Sequence, residues 1–278
     1  MYLRIEPTPR WEVSPYLFMQ FMEPLGTTDS SVEAGWDFTR NQWRPELLEV
    51  VRDLSPTMIR WGGILTSFWK WKEGVGPRDQ RTPMVNYCWG GLESNQVGLH
   101  EFLDFCNLVG AEPLIGVNFA SDGRPEYITT SLGESRVGTP EEAAELVRYC
   151  NDTENEDRRR NGRTQPWNLR IWQIGNETSY PPSGKRFSSQ ESAQRYLEFA
   201  KVMREADSSI KLIGWGCQEE NGHWWAEELL DVAGDQVDFV ATHMMRQVPQ
   251  RKDTILAGMK YMQDRDQAWA ELLEIYDT

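Results

Sequence analysis

The chain has 278 residues and a formal charge of −14, with a pI near 4.8. This length suits one large α/β domain with a continuous core, and a single barrel falls within its range. The negative charge disfavours nucleic acid and anionic membrane surfaces, which repel it inside the Debye length, and favours a neutral or cationic ligand.

The amino terminus, MYLRIEPTPR, is broken by charges and prolines, and no later segment approaches a membrane span, so cytoplasmic residence is the expectation. The first strand is predicted over Tyr16–Met22 (YLFMQFM). After a Gly/Ser/Asp-rich loop comes a helix over Pro45–Leu54, with Leu47, Leu48, Val51 and Leu54 on one face. A second strand, Thr57–Trp61, leads into a long loop rich in Gly, Trp and Pro, and loops of that length in compact domains tend to be functional.

A helix over Gly98–Val109 precedes the third strand, Glu112–Asn118 (EPLIGVN), whose apolar run reads as buried on both faces. Thr139, Pro140 and Glu142 then open a helix to about Cys150 as an N-cap hydroxyl, a pre-set φ and a capping-box carboxylate. The fourth strand, Leu169–Ile174, ends in Gly175-Asn176-Glu177. Ser188 and Glu191 form a second capping box and start a helix to about Ala206. Strand five is Lys211–Trp215, a helix follows near Trp224–Val232, strand six is Val237–His243, and a final helix spans roughly Asp253–Tyr276.

Alternating strands and helices without hairpin signals imply a parallel sheet covered by helices, either a barrel or a doubly wound open sheet. Neither GxGxxG nor GxxxxGK[ST] is present, so nucleotide folds lack their fingerprint. Polar residues at strand ends favour the barrel. Glu23, Arg60, Asn118, Asn176-Glu177 and His243 each sit where a strand stops, and in a barrel those ends converge on one mouth.

The four cysteines, Cys88, Cys106, Cys150 and Cys217, have no zinc-site spacing and read as reduced, mostly buried thiols. Three histidines are too few for a histidine-rich metal centre, and no cofactor is implied. The thirteen tryptophans suit either the C–H faces of sugar rings or a bulky core.

Hydrolysis of a glycosidic bond needs a proton for the leaving oxygen and negative charge against an oxocarbenium-like transition state, which two carboxyl groups supply. Glu177 is the best acid candidate, because the apolar strand before it (IWQIG) places it at the rim of a partly dry pocket. Asn176 can bond a sugar hydroxyl, and Arg60 can hold a carboxylate ionised across the mouth. The same pair also suits an ordinary helix-start carboxylate and a turn residue. Glu23 also reads as a loop salt-bridge partner, Asn118 as a strand-end turn former and His243 as a core histidine.

WQIGNE (Trp172–Glu177) resembles the strand-four motif of the clan of retaining barrel glycosidases whose Asn-Glu carries the acid/base. FMEPLG (Phe21–Gly26), RWGG (Arg60–Gly63), WKEGVGPRDQR (Trp71–Arg81), ESNQVGLHEFLDFC (Glu93–Cys106), GAEPLIGVN (Gly110–Asn118), YCN (Tyr149–Asn151) and DFVATH (Asp238–His243) are similar, in order, to the glycoside hydrolase family 51 α-L-arabinofuranosidases. The resemblance covers nearly the whole chain. It implies an incomplete (β/α)8 TIM barrel of about six βα units over residues 16–278, with residues 1–15 as a leading segment in which Tyr2–Glu6 resembles the strand joining a β-sandwich domain.

The implied activity is a retaining glycosidase that releases α-L-arabinofuranosyl residues, with Glu177 as acid/base. By the same resemblance Glu23, Arg60, Asn118, Asn176 and His243 bind the sugar. Three departures weaken the arabinofuranose contacts: Ile64 stands where the family has a sugar-contacting asparagine, Pro24 follows Glu23 where it has histidine, and Met244-Met245 replace an aromatic pair. The family's nucleophile is a glutamate on strand seven, which the chain does not reach; Glu219 and Glu220 are the in-chain alternatives. Little turnover is therefore expected from the chain alone, together with homo-oligomerisation or pairing with a complementing portion. The competing expectations are a non-catalytic sugar-binding subunit and another clan member acting on a different glycoside.

Overall fold

A computed structural model describes residues 12–24, 32–86, 89–119, 136–179, 187–219, 222–243 and 252–276. Short, largely buried strands alternate with amphipathic helices. The strands are β1 (Gln20–Met22), β2 (Trp36–Asp37), β3 (Gln42–Trp43), β4 (Met58–Trp61), β5 (Met84–Val85), β6 (Leu92–Glu93), β7 (Glu112–Val117), β8 (Ile171–Ile174), β9 (Lys211–Trp215) and β10 (Phe239–Ala241). The helices are α1 (Pro45–Leu54), α2 (Leu99–Val109), α3 (Pro140–Asn151), α4 (Glu156–Arg160), α5 (Ser189–Ala206), α6 (Trp225–Ala233) and α7 (Lys252–Tyr276).

Six strands form one sheet in the order β1-β4-β7-β8-β9-β10, and every pairing in it is parallel. Side chains alternate across it, as the pleat demands. Ile59, Trp61, Ile115, Val117, Trp172, Ile174 and Leu212 join the large core beneath the helices. Met58, Leu114 and Ile171 form a second cluster with Tyr16 and Ile213 on the opposite face. That inner face lines a lumen of about 380 Å³, with Arg60, Gln173 and His243 as polar members of its wall.

Three expectations need correction. Tyr16–Met22 is not one strand: Pro15–Phe18 forms a 3-10 turn, because Pro15 pre-sets φ and the Ser14 hydroxyl accepts from the Tyr16 amide at 3.2 Å. Hairpins do occur: β2 pairs antiparallel with β3, and β5 with β6, inside the connections after β1 and β4. The box at α3 is half formed. Thr139 accepts from the Glu142 amide at 3.2 Å, but the Glu142 carboxylate pairs with Lys70 at 2.7 Å. The box at α5 is complete, with Glu191 accepting from the Ser188 amide at 2.7 Å.

Cys106, Cys150 and Cys217 are buried and form no disulfide among the described residues, as expected, while Cys88 lies outside them. So do Tyr2–Glu6, Glu220 and Met244-Met245. Among the described residues no helix is long and apolar enough to cross a membrane.

Candidate active site

The chain leaves β8 through a tight turn. Gly175 takes φ 86, a conformation that costs glycine little, and Glu177 takes φ 53, which is strained for a residue with a side chain. Strain of this kind persists only where surrounding contacts fix it, and here the neighbours on both sides are charged or polar. Asn176 is buried, and its Oδ1 accepts a short hydrogen bond from Nη2 of Arg60, which comes from β4. Oε1 of Glu177 lies 2.8 Å from Nδ1 of His243, just past β10.

His243 is held from a second direction. Its ring meets Trp215 edge-on, with centroids 4.8 Å apart, and the Trp215 indole donates to Ser179 Oγ at 2.9 Å. Its orientation is therefore set by the end of β9 as well as by the turn after β8.

Glu23 enters from the end of β1. Its Oε1 accepts from the Leu65 amide at 3.2 Å, and the Ile64 amide also points at the carboxylate. The contact depends on Gly63, at φ 103, where an added Cβ would stand 2.3 Å from Glu23 Oε2. Burial pushes the Glu23 carboxyl up to about 7, against the Leu65 amide, the Arg60 guanidinium and the Ile64 amide, with the Glu177 charge adding to the rise. Desolvation pulls Arg60 down while Glu23 and Glu177 hold it up, and a guanidinium stays charged at neutral pH. Arg60 is thus the shared counter-charge of two carboxyl groups.

Four strands, β1, β4, β8 and β10, thereby bring Glu23, Arg60, Asn176, Glu177 and His243 into one connected cluster. Asn118 serves differently. Its Nδ2 donates to the carbonyls of Trp69 and Arg136, each at 2.8 Å, and its Oδ1 accepts from the Gly138 amide at 2.9 Å. These bonds tie the loop after β7 to its neighbour. Ile64 turns its backbone amide to the Glu23 carboxylate, and its side chain packs on the core.

Trp89, the exposed tryptophan among the described residues at 46% exposure, stands apart from the residues that the strand ends mark. It rides the β5–β6 hairpin, whose Asn86 accepts from the Trp89 amide at 2.9 Å and donates to the carbonyl of Pro24, beside Glu23, at 3.3 Å. The signal was a CWGGL turn, lost among many tryptophans. Most of the others fill core, so their excess is mainly structural. Glu219, offered as a substitute nucleophile, faces His223 at 3.7 Å.

The family model described as the alpha-L-arabinofuranosidase 1 domain matches residues 50–265. The chain belongs to this α-L-arabinofuranosidase family. A probable alpha-L-arabinofuranosidase C of Aspergillus fumigatus is 34% identical over 221 residues, which cover 77% of this chain and 40% of the relative. An exo-alpha-(1->6)-L-arabinofuranosidase of Bifidobacterium longum is 31% identical over 248 residues, covering 84% of this chain and 44% of the relative. The solved family 51 arabinofuranosidase of Thermotoga petrophila superposes with a TM-score of 0.67 at 31% identity, over 82% of this chain and 45% of that one.

A family 51 structure from Bifidobacterium longum gives 0.78 at 24% identity, over 95% of this chain and 52% of that one, and bears on the fold alone. The chain spans about 40% of the length of the curated arabinofuranosidases it matches. Its six parallel strands form an incomplete (β/α) barrel, as the strand order implied.

Proposed function

We propose that this chain carries the acid/base side of a retaining α-L-arabinofuranosidase site, which releases terminal α-L-arabinofuranosyl residues from arabinose-containing polysaccharides or oligosaccharides. The observation that carries the reading is the single polar cluster of Glu23, Arg60, Asn176, Glu177 and His243 at the ends of four parallel strands. Glu177 gives its proton to the glycosidic oxygen as the bond to the anomeric carbon breaks, and a second carboxylate takes that carbon as a glycosyl ester. Glu177 then removes a proton from water, which attacks the anomeric carbon and releases the enzyme carboxylate.

The second carboxylate is proposed to come from a strand beyond the six described, supplied by a complementing portion of the barrel. Asn176 and Glu23 bond sugar hydroxyls, and Arg60 and His243 hold the two carboxyl groups in place. Asn118 shapes the mouth rather than touching sugar. No cofactor takes part in this scheme, and cytoplasmic residence remains the proposal.

One observation favours a second reading, a non-catalytic sugar-binding barrel: Glu23, the described carboxyl group sharing Arg60 with Glu177, is drawn toward its neutral form. Calorimetric titration with methyl α-L-arabinofuranoside and methyl β-D-xylopyranoside tests the proposal. Saturable binding of the arabinoside that Asn176→Ala abolishes supports it. Preference for the xyloside would assign the site to another glycoside.

A further inference from the structure

Gln173 is a polar residue in an otherwise apolar strand, on the lumen side of β8, and only 3% exposed. It stands in register with Gly116 of β7 and Ile213 of β9, below the turn that carries Asn176 and Glu177. Burying an amide at such a position costs free energy unless it is bonded. Its Nε2 donates to the Gly175 carbonyl at 2.8 Å, within the buried interior.

That carbonyl lies one residue past the end of β8, where the sheet ladder stops and the backbone turns left-handed. A buried peptide carbonyl requires a donor, and the side chain two residues earlier provides one. The peptide plane so fixed leads directly into Asn176 and Glu177. Asn176 must meet Arg60, and Glu177 must meet His243, from a backbone whose φ at Glu177 is itself strained. A small rotation about Gly175 would displace both side chains together, because Asn176 follows the pinned carbonyl directly and Glu177 follows Asn176.

We infer that Gln173 is a positioning residue for Glu177: its amide locks the Gly175 carbonyl and thereby aims Asn176 at Arg60 and Glu177 at His243. The significance of that aim rests on the proposed role of Glu177, but the aim itself is a separate, measurable property. An apolar residue of the same length would fill the same space and leave the carbonyl unbonded.

The chain has only three histidines, His100, His223 and His243, so their ring resonances are separable in a ¹⁵N-labelled sample of all 278 residues. With Glu177 ionised, His243 Nδ1–H is expected as a downfield, slowly exchanging proton signal, assigned by its loss in Glu177→Ala. In Gln173→Met, which keeps length but has no donor, that signal is expected to vanish while those of His100 and His223 and the cooperative melt persist. Gln173→Asn keeps the amide but shortens its reach, and is expected to behave the same way, which covers the case that the Met variant does not fold.

A folded variant with an unchanged His243 signal would overturn the inference, as would absence of the signal from the unmodified chain. Loss of the signal in a chain that binds no arabinoside would leave the positioning role intact and count against the arabinofuranosidase reading instead.

Discussion

His243 Nδ1 and Glu177 Oε1 lie 2.8 Å apart although 66 positions separate them in the chain. The contact spans β8 to β10 across β9, so it exists only if the parallel sheet curls enough to bring those strand ends together. It also gives the acid/base candidate a hydrogen-bonding partner from a second strand end.

Loss of the Glu177 proton should matter most where the leaving group is poor. In a chain joined to strands that complete the barrel, Glu177→Gln is expected to slow arabinose release from natural linkages on the order of 10²–10⁴-fold. Activated aryl arabinosides, whose phenolate leaves unaided, should be affected far less. Comparative steady-state kinetics on the two substrate types check this; equal losses would remove Glu177 from the acid role.

Glu23 links the site to pH. Its folded value of about 7 lies above its ordinary 4.5, so the unfolded chain gives up that proton first. The fold holds more protons than the unfolded chain across this interval, and stability therefore falls as pH rises from 4.5 to about 7, then levels off. Urea midpoints of the unmodified chain and Glu23→Gln over that interval are expected to differ in slope, with the variant losing less.

Gly63→Ala places a methyl group where the Glu23 carboxylate already sits, on a backbone with φ 103. The expected cost is roughly 1–3 kcal/mol from strain alone, with the clash added. Combining it with Glu23→Ala removes the clash but not the backbone strain, so partial recovery in a urea double-mutant cycle is the expected result.

Asn118→Ala should act on stability rather than on sugar. It strips partners from three backbone groups, at roughly 1–3 kcal/mol for each buried group left unbonded. Trp89→Ala should do the reverse, weakening binding of arabino-oligosaccharides several-fold while leaving the melt unchanged, since the ring is exposed. Calorimetry and thermal melts on both variants separate the two behaviours.

Much of this was legible in the residue pattern. The β-branched and aromatic runs around Ile59, Ile115 and Ile174 announce strands covered on the helix side, and polar residues at their ends mark the mouth. Ser188 and Glu191 mark a helix start with two reciprocal bonds, and the structure forms both. What stayed hidden depends on long-range competition. Glu142 has the right spacing for a capping box, yet Lys70 offers it an ion pair from a distant loop.

Asn118 was expected to bind sugar by resemblance, and the residue alone also reads as a strand-end turn former. Its amide is instead consumed by carbonyls and an amide that no local pattern reveals. Pro15 broke the first strand because the apolar run of YLFMQFM says nothing about φ, whereas a proline and a capping serine do. Gln173, one polar residue inside IWQIG, was the visible trace of the buried bond to Gly175.

The most direct test follows the three histidine rings by NMR while methyl α-L-arabinofuranoside is added to the 278-residue chain. If the strand ends form an arabinofuranose site, His243 shifts saturably while His100, in the first turn of α2 against Tyr149, and His223 stay put. Uniform small shifts in all three, or none in His243 at any sugar concentration, would contradict the account.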